Sequence, residues 1–498
     1  MQRGVRALGT ARHIMSTTER SYEDAIAILR ARRRQKRPNT GASTTKNHDR
    51  IPDAKGKLDL RGTPSIQGMR EWLQLIGHSP SDVDRLNVVH VAGTKGKGST
   101  CAFAESFLRT YGERTGIPSK TGLYTSPHLI HPEERIRINF RPLARPLFAK
   151  YFFEVWDKLS QLNPPPRFLQ LYCLFATHVF IREGVEAAIY ETHHGGEYDA
   201  TNFLDQPVAT IVTPLGMDHI SQLGPTLNNI AWHKAGIFKP GALAFSAVQE
   251  SGPTEVIKNR AAEKAVDLSF VSEATELPRD MIQLKPDVQR ANCSLALAAV
   301  RGFLDKTGAS HDTGPLQSED IQKAITRFSW PGRFQYICKE RTHWFLDGAH
   351  NEMSVVKAAE WFIEGSEMIR DALDRVLVFA QVSEERDTVD VFRQLALALQ
   401  RTPFDHIIIA SYEKREPLEE SAESAQAIDS SNHEKHNSQM ETFATLWREL
   451  QPNSTIHLKS SPEGAMDCAR EIALKSGGVR AFVTGSLFLM GSALRYLA

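Results

Sequence analysis

The sequence predicts two α/β domains whose parallel sheets are covered by helices on both faces. Three observations carry this. The chain has 498 residues, more than one ordinary domain of roughly 100 to 200 residues accommodates. Short apolar runs alternate with helical patterns, as in successive β-α-β units. A break at Trp330, Pro331, Gly332 and Arg333 divides those runs into two sets. The hydrophobic fraction of 41% and the charged fraction of 24% exclude collagen-like, wholly disordered and disulfide-scaffold chains.

In chain order, residues 1–18 hold Arg3, Arg6, Arg12 and His13, several Ser and Thr, and no acid, the first being Glu19. This composition fits an organellar transit segment, and no long apolar stretch of a secretory signal follows. Met15 stands just before the first acids, so initiation at Met1 is expected to give a mitochondrial form and initiation at Met15 a cytoplasmic one. A basic terminus that simply frays is the other account of the same residues. Residues 31–62 are rich in Arg, Lys, Asn, Gly and Pro and read as a loop or linker. A helix is expected from near Ser65, where Met69, Trp72, Leu73 and Ile76 recur at helical spacing.

Val88, Val89 and Val91 form the first strand-like run, and Cys101 to Tyr111 then reads as a helix. Similar runs recur at Ala187 to Tyr190, Val208 to Val212, Trp344 to Leu346, Val376 to Phe379, Ile407 to Ala410 and Ala481 to Val483. The first domain is thus expected over 20–330 and a smaller one over 335–498. Residues 412–440 are rich in Glu, Ser, Gln, Asn and His and read as an exposed insertion.

Lys plus Arg number 60 and Asp plus Glu 59, a net charge of +1. No global field exists to hold nucleic acid or an anionic membrane, so an anionic substrate must be caught locally. The five cysteines, at 101, 173, 293, 338 and 468, form neither metal-type pairs nor a framework and are expected to be reduced. The apolar stretch Leu169 to Ile181 is interrupted by Gln170, Thr177 and His178 and falls short of the roughly 18 residues that span a bilayer. No transmembrane segment is expected.

The chemistry enters with Gly93-Thr94-Lys95-Gly96-Lys97-Gly98-Ser99-Thr100, set between an apolar run and a helix. In that place glycines let backbone N–H groups converge on phosphate oxygens, and the helix N-terminus adds a favourable dipole. Lys97 is expected to reach the terminal phosphates and Ser99 to hold Mg²⁺. The spacing is shorter than the strict pattern with four residues between Gly and Gly-Lys. A GTPase is disfavoured, since no Asn-Lys-x-Asp element occurs.

Further motifs follow: Gly122 to Leu129 (GLYTSPHL), Glu191 with Gly195 to Asn202 (GGEYDATN), Ile230 to Ile237 (IAWHKAGI), Trp330 to Arg333, Leu346 to Asn351 (LDGAHN), and Gly485-Ser486-Leu487. With the phosphate loop and in this order, they resemble the motifs of folylpolyglutamate synthases, Mur-ligase-like ATP-dependent amide ligases. The resemblance runs from about Ser21 to the C-terminus. It implies a P-loop-containing parallel-sheet N-terminal domain and a smaller Rossmann-like C-terminal domain. It also implies ATP and Mg²⁺, with a monovalent cation such as K⁺ as a further possibility, folate and L-glutamate as substrates, and a monomer.

Residue roles carry over as follows. Glu191 and Ser126 resemble ligands of one Mg²⁺, and His219 the ligand of a second. Thr125, Ser126, Pro127 and His128 form the loop near the pterin. Lys234 matches a lysine that becomes carbamylated and so can hold metal. Asn292 matches a residue near the adenine, and Arg333 one that reaches ATP phosphate from the joint. Asp347 would contact ATP, while His350, with Ser486 nearby, would position the incoming glutamate. The implied reaction adds L-glutamate to the γ-carboxylate of a reduced folate through an acyl phosphate.

Two departures stand out. The usual Glu-Thr-Gly-Ile-Gly-Gly reads Glu191-Thr192-His193-His194-Gly195-Gly196. If the replaced glycine needs a positive φ, His193 costs about 1 kcal/mol or more. Glu133, followed by Glu134, stands where the family commonly has Arg, turning an electropositive spot acidic. These changes keep two alternatives open: a paralogue that ligates a non-folate acid, or a degenerate nucleotide-binding protein. Retention of Lys97, Ser99, Glu191, His219, Lys234, Arg333, Asp347 and His350 argues against the second.

Overall fold

The computed structural model describes residues 20–33, 64–279, 281–381, 388–411 and 430–497. The basic N-terminus with Met15, most of the expected linker, and residues 412–429 lie outside the described residues. The first sheet holds β1 (Val88–Ala92), β2 (Thr121–Tyr124), β3 (Ile136–Ile138), β4 (Arg141–Pro142), β5 (Ala187–Glu191), β6 (Ala209–Val212), β7 (Leu243–Ala247) and β8 (Asp267–Val271). Their order is β4-β3-β2-β5-β1-β6-β7-β8. The second holds β9 (Gln335–Lys339), β10 (Thr342–Asp347), β11 (Asp374–Phe379), β12 (His406–Ala410), β13 (Thr455–Lys459) and β14 (Val479–Thr484), in the order β13-β12-β11-β14-β10-β9. Pairing is parallel except at β2–β3, β3–β4 and β9–β10.

Side chains alternate across each strand, so both faces need cover. Val88 joins a core with helices Tyr22–Ala31, Arg145–Leu159 and Phe168–Glu183. Its neighbours Val89 and Val91 point the other way, against helices Lys97–Thr115 and Asp287–Lys306. In the second sheet Leu377 and Phe379 pack with helices Glu352–Glu367 and Thr388–Leu399, while Val376 and Val378 pack with helix Pro462–Ser476. Both sheets are therefore buried on two sides, the α/β class that the alternating runs predict.

From β1 the chain moves out to β2, returns as β5 beside β1, and crosses to β6 on β1's other side. The crevice at the carboxyl end of β1 is thus a switch point, where open α/β sheets bind ligands. The joint Trp330–Arg333 returns to this point. A Cβ on Gly98 would lie 3.2 Å from the Trp330 indole nitrogen, and Gly348 N–H donates to the Gly332 carbonyl at 2.9 Å.

Two boundaries differ from expectation. The helix placed near Ser65 starts at Met69, after Gly68 in a left-handed conformation (φ +81°). Residues 430–440, expected within the exposed insertion, instead open helix Ser430–Leu450. Its apolar positions Met440, Phe443, Ala444 and Trp447 are buried at helical spacing. Among the described residues no helix is long and apolar enough to cross a membrane. All five cysteines are free.

Candidate active site

A cavity of about 580 Å³ opens between the two sheets. Thr94, Lys95, Gly96, Lys97, Gly98 and Ser99 line it, with Thr125, Ser126, Pro127, His128, Glu191 and His219. Asn292, Arg333, Asp347 and His350 complete the set, so residues spread over 250 positions of sequence meet in one place.

The phosphate loop is shaped by its neighbours. Gly93 and Gly96 have φ of +149° and +80°. A Cβ there would come within 1.8 Å of the Thr213 hydroxyl oxygen and 2.1 Å of Asn292 Oδ1, so both positions require glycine. The N–H groups of Thr94 and Lys95 donate to the Pro214 carbonyl at 3.2 Å, and the Thr213 hydroxyl donates to the Lys95 carbonyl at 2.6 Å. The loop after β6 thereby clamps the loop after β1.

Glu191, at the end of β5, is buried, with Oε1 3.9 Å from Lys97 Nζ. Its Oε2 accepts the Ser126 N–H at 3.0 Å. Burial raises its carboxyl above the usual range, although Lys97 and the Ser126 N–H pull the other way. A buried carboxylate short of compensation fits a further cation. The Ser99 and Ser126 hydroxyls line the same cavity and form no hydrogen bond within the described residues. Hard oxygen donors of this kind suit Mg²⁺ or Mn²⁺, so these residues fit a divalent ion. His219 holds a left-handed backbone (φ +50°), a strain of about 1 kcal/mol or more for a non-glycine. Its ring centroid lies 4.6 Å from that of His194.

His193 does not carry the strain its substitution for glycine predicts. The left-handed residue of this run is Gly195 (φ +71°). His193 is buried instead, its Nε2 2.6 Å from the Tyr124 hydroxyl and its Nδ1 3.4 Å from Asp199 Oδ1. Asp199 also accepts the N–H groups of His193, His194 and Thr201. The ring therefore braces the loop after β2 against the loop after β5, the two that bring Ser126 to Glu191. The acidic departures are absorbed as well. Glu133 accepts Arg145 Nε at 3.0 Å and the Tyr22 hydroxyl, and Glu134 caps the N–H groups of Leu129, Ile130 and His131.

From the second sheet come Asp347, at the end of β10, and His350. Asp347 is buried and accepts the N–H groups of Phe334 (2.8 Å) and Ala349 (2.9 Å). Burial pushes its carboxyl up to about 6, against the pull of Arg333. Arg333 Nη1 donates to the Gly332 carbonyl at 3.2 Å. His350 Nδ1 lies 2.8 Å from the Gly348 carbonyl, which fixes the proton on that nitrogen. On the other wall Arg135 Nε donates to His128 Nδ1 at 2.8 Å. Burial, then Arg135, hold the His128 imidazole down at about 3.

Four sequence-predicted site residues do not line the cavity. Gly93 and Thr100 lie behind the loop, with the Thr100 N–H on the Gly96 carbonyl at 2.8 Å. Lys234 is buried beneath it and donates to the Gly93 carbonyl at 2.6 Å. Ser486 accepts the Leu489 N–H at 3.1 Å and starts the last helix. Conversely, sequence reading missed Tyr124, Asp199, Arg135 and Trp330. Trp330 stands in the sequence as a break and part of a motif with no role of its own, and the partners of His193 are 69 and 6 positions away.

No family model matches the chain. The folylpolyglutamate synthase of Neurospora crassa is 37% identical over 511 residues, covering 97% of this chain and 92% of that protein. A probable folylpolyglutamate synthase of Schizosaccharomyces pombe is 38% identical over 439 residues, 86% of each. Among solved structures, the bifunctional folylpolyglutamate synthase/dihydrofolate synthase of Yersinia pestis, complexed with AMPPNP and Mn ion, superposes with a TM-score of 0.66 at 22% identity. The match covers 96% of this chain and 98% of that one. With more than a third of its residues shared along nearly the whole of both chains, this protein belongs to the folylpolyglutamate synthase family.

Proposed function

We propose that this chain is an ATP-dependent ligase that adds L-glutamate to the γ-carboxylate of a reduced folate. One observation carries the reading: a single cavity joins the phosphate loop and the Lys97–Glu191 pair to Arg333, Asp347 and His350 of the other sheet. The acceptor carboxylate attacks the γ-phosphate of ATP, the bond to ADP breaks, and an acyl phosphate forms. The glutamate amine then attacks the carbonyl and phosphate leaves.

Two anions must meet for the first step, and the chain supplies the offsetting groups. Loop N–H groups and Lys97 hold the phosphates, and Arg333 adds a second cation from the joint. Mg²⁺ is the proposed divalent ion; Ser99, Ser126 and Glu191 would hold one and His219 a second, and they would neutralise phosphate charge. Closure of the two walls over the substrates would keep water from the acyl phosphate. His350, oriented by the Gly348 carbonyl, positions the incoming glutamate.

Burial, then repulsion by Lys97, hold the Lys234 amine well below the ordinary lysine range. A neutral amine is the form that adds CO₂, so carbamylation is the proposed modification; chemical trapping followed by mass spectrometry checks it. The alternatives of a non-folate acceptor and a retired enzyme rested on His193, His194, Glu133 and Glu134; His193, Glu133 and Glu134 have side chains bonded within the fold, and His194 is tied by its N–H to Asp199. We also propose a monomer, K⁺ as an accessory cation, and dual cytoplasmic and mitochondrial placement through Met1 and Met15, tested by tagging the two forms.

The deciding assay is ADP release from Mg²⁺-ATP and L-glutamate, with and without tetrahydrofolate, alongside mass spectrometry. Folate-dependent release with stepwise glutamyl addition is expected. Nucleotide binding without that turnover would overturn the folate reading.

A further inference from the structure

A second cavity, of about 540 Å³, lies outside the site just described. Its charged lining is Arg109, Arg141, Arg327 and Glu113. Glu113 is shared, at 2.8 Å from Arg327, 3.1 Å from Lys323 and 3.8 Å from Arg109. Beneath the wall, buried Glu105 accepts Arg109 Nε at 2.9 Å. At the rim, Glu186 is taken up by Ser119. Arg141 is exposed, and its guanidinium forms no hydrogen bond or ion pair within the described residues. The cavity thus keeps an excess of positive charge, with one guanidinium uncommitted.

The two cavities share a wall. The β3–β4 hairpin turns on Asn139 and Phe140, both left-handed at φ +47° and +67°. A bulky side chain in that conformation is a backbone outlier, and such strain persists where surroundings or function require it. Here it sets the Phe140 ring 5.6 Å from the Arg109 guanidinium on one side and 5.4 Å from that of Arg137 on the other. Arg137 lines the main cavity and lies 5.5 Å from the Trp330 ring. Arginines therefore stand on both sides of Phe140, Arg137 lining the main cavity and Arg109 the second. Along helix Lys97–Thr115 the twelve steps from Lys97 to Arg109 span about 18 Å.

Resting on the proposed function, we propose that the second cavity receives the γ-glutamyl tail of substrates that already carry several glutamates. Each cycle reacts at the last γ-carboxylate, which stays at the ATP phosphate. Earlier residues must therefore move outward, each with one α-carboxylate. A γ-linked residue has two more chain bonds than an α-linked one, so it advances roughly 6 Å against roughly 3.5 Å. About three such residues reach the cavity, where regularly spaced carboxylates meet the arginines. Tail length is then read away from the reaction centre.

The test compares mono- and tetraglutamyl tetrahydrofolate with the full chain and its Arg141→Ala and Arg141→Glu variants, at fixed ionic strength. Arg141→Glu should raise KM for the tetraglutamyl substrate about fivefold, the scale of an exposed charge contact that is reversed. KM and kcat for the monoglutamyl substrate should stay within about twofold. Free tetra-γ-glutamate should bind the wild type in calorimetry and bind Arg141→Glu more weakly. Equal effects on both substrates, or none on either, would overturn the proposal. Inorganic phosphate binding in place of the peptide would also overturn it, in favour of a phosphate site. If the wild type fails on the monoglutamyl substrate itself, the proposed function falls instead.

Discussion

Replacing Asp347 by Asn separates the cost of a buried charge from the value of its hydrogen bonds. Burial raises the pKa of this carboxyl from 3.8 to about 6. That difference, at roughly 1.4 kcal/mol per pH unit, amounts to about 3 kcal/mol. The sign follows from the direction: the folded state binds the proton more tightly than the unfolded chain. The group's stabilisation is therefore complete below about pH 4 and is lost as pH rises through 6. Asn removes the charge but accepts only one of the two N–H groups, from Phe334 and Ala349, that the carboxylate accepts. That loss costs about 1–3 kcal/mol at every pH. In urea unfolding without nucleotide, the advantage of wild type over Asp347→Asn should therefore shrink by about 2 kcal/mol between pH 4 and pH 7. Parallel curves, or an advantage that grows with pH, would show that the Arg333 pairing outweighs burial and refute the reasoning.

Other expectations follow from the same geometry. Lys97→Ala should lower kcat/KM by at least about a thousandfold, as loss of a phosphate-holding cation does, in a chain that circular dichroism finds folded. Gly96→Ala should abolish nucleotide binding in equilibrium dialysis, because its Cβ would press on Asn292 Oδ1 from a φ of +80°. Tyr124→Phe leaves His193 Nε2 without its buried partner and should cost about 1–3 kcal/mol of stability. It should also lower kcat more than it changes the KM for ATP, since the brace holds Ser126 against Glu191 and not the nucleotide; an unchanged kcat would assign the brace to stability alone.

The strands legible in the sequence are those buried on both sides. Val88–Ala92 and His406–Ala410 announce themselves through β-branched residues that two helical layers require. β2 is short and contains Gly122, and β13 is a partly exposed edge; each owes its place to a neighbour's hydrogen bonds rather than to its own composition. The site divides likewise. Phosphate-loop chemistry is local, so spacing reveals it. The packing of Asn292 on Gly96 and of Tyr124 on His193 joins distant segments, and no periodicity encodes it. His193 looked like a strain because its sequence neighbours were visible and its partners were not.

The hydrogen bond from Gly348 to Gly332, and the Trp330 indole set against Gly98, place the seam of the molecule at the mouth of the phosphate loop. A nucleotide there would act as an adhesive between two bodies with separate cores. Each tenfold excess over its dissociation constant adds about 1.4 kcal/mol to their union. Heated without nucleotide, the halves are free to melt in succession; heated with it, they should melt together. The energy supply of the compartment would then set how long the enzyme lasts as well as how fast it works.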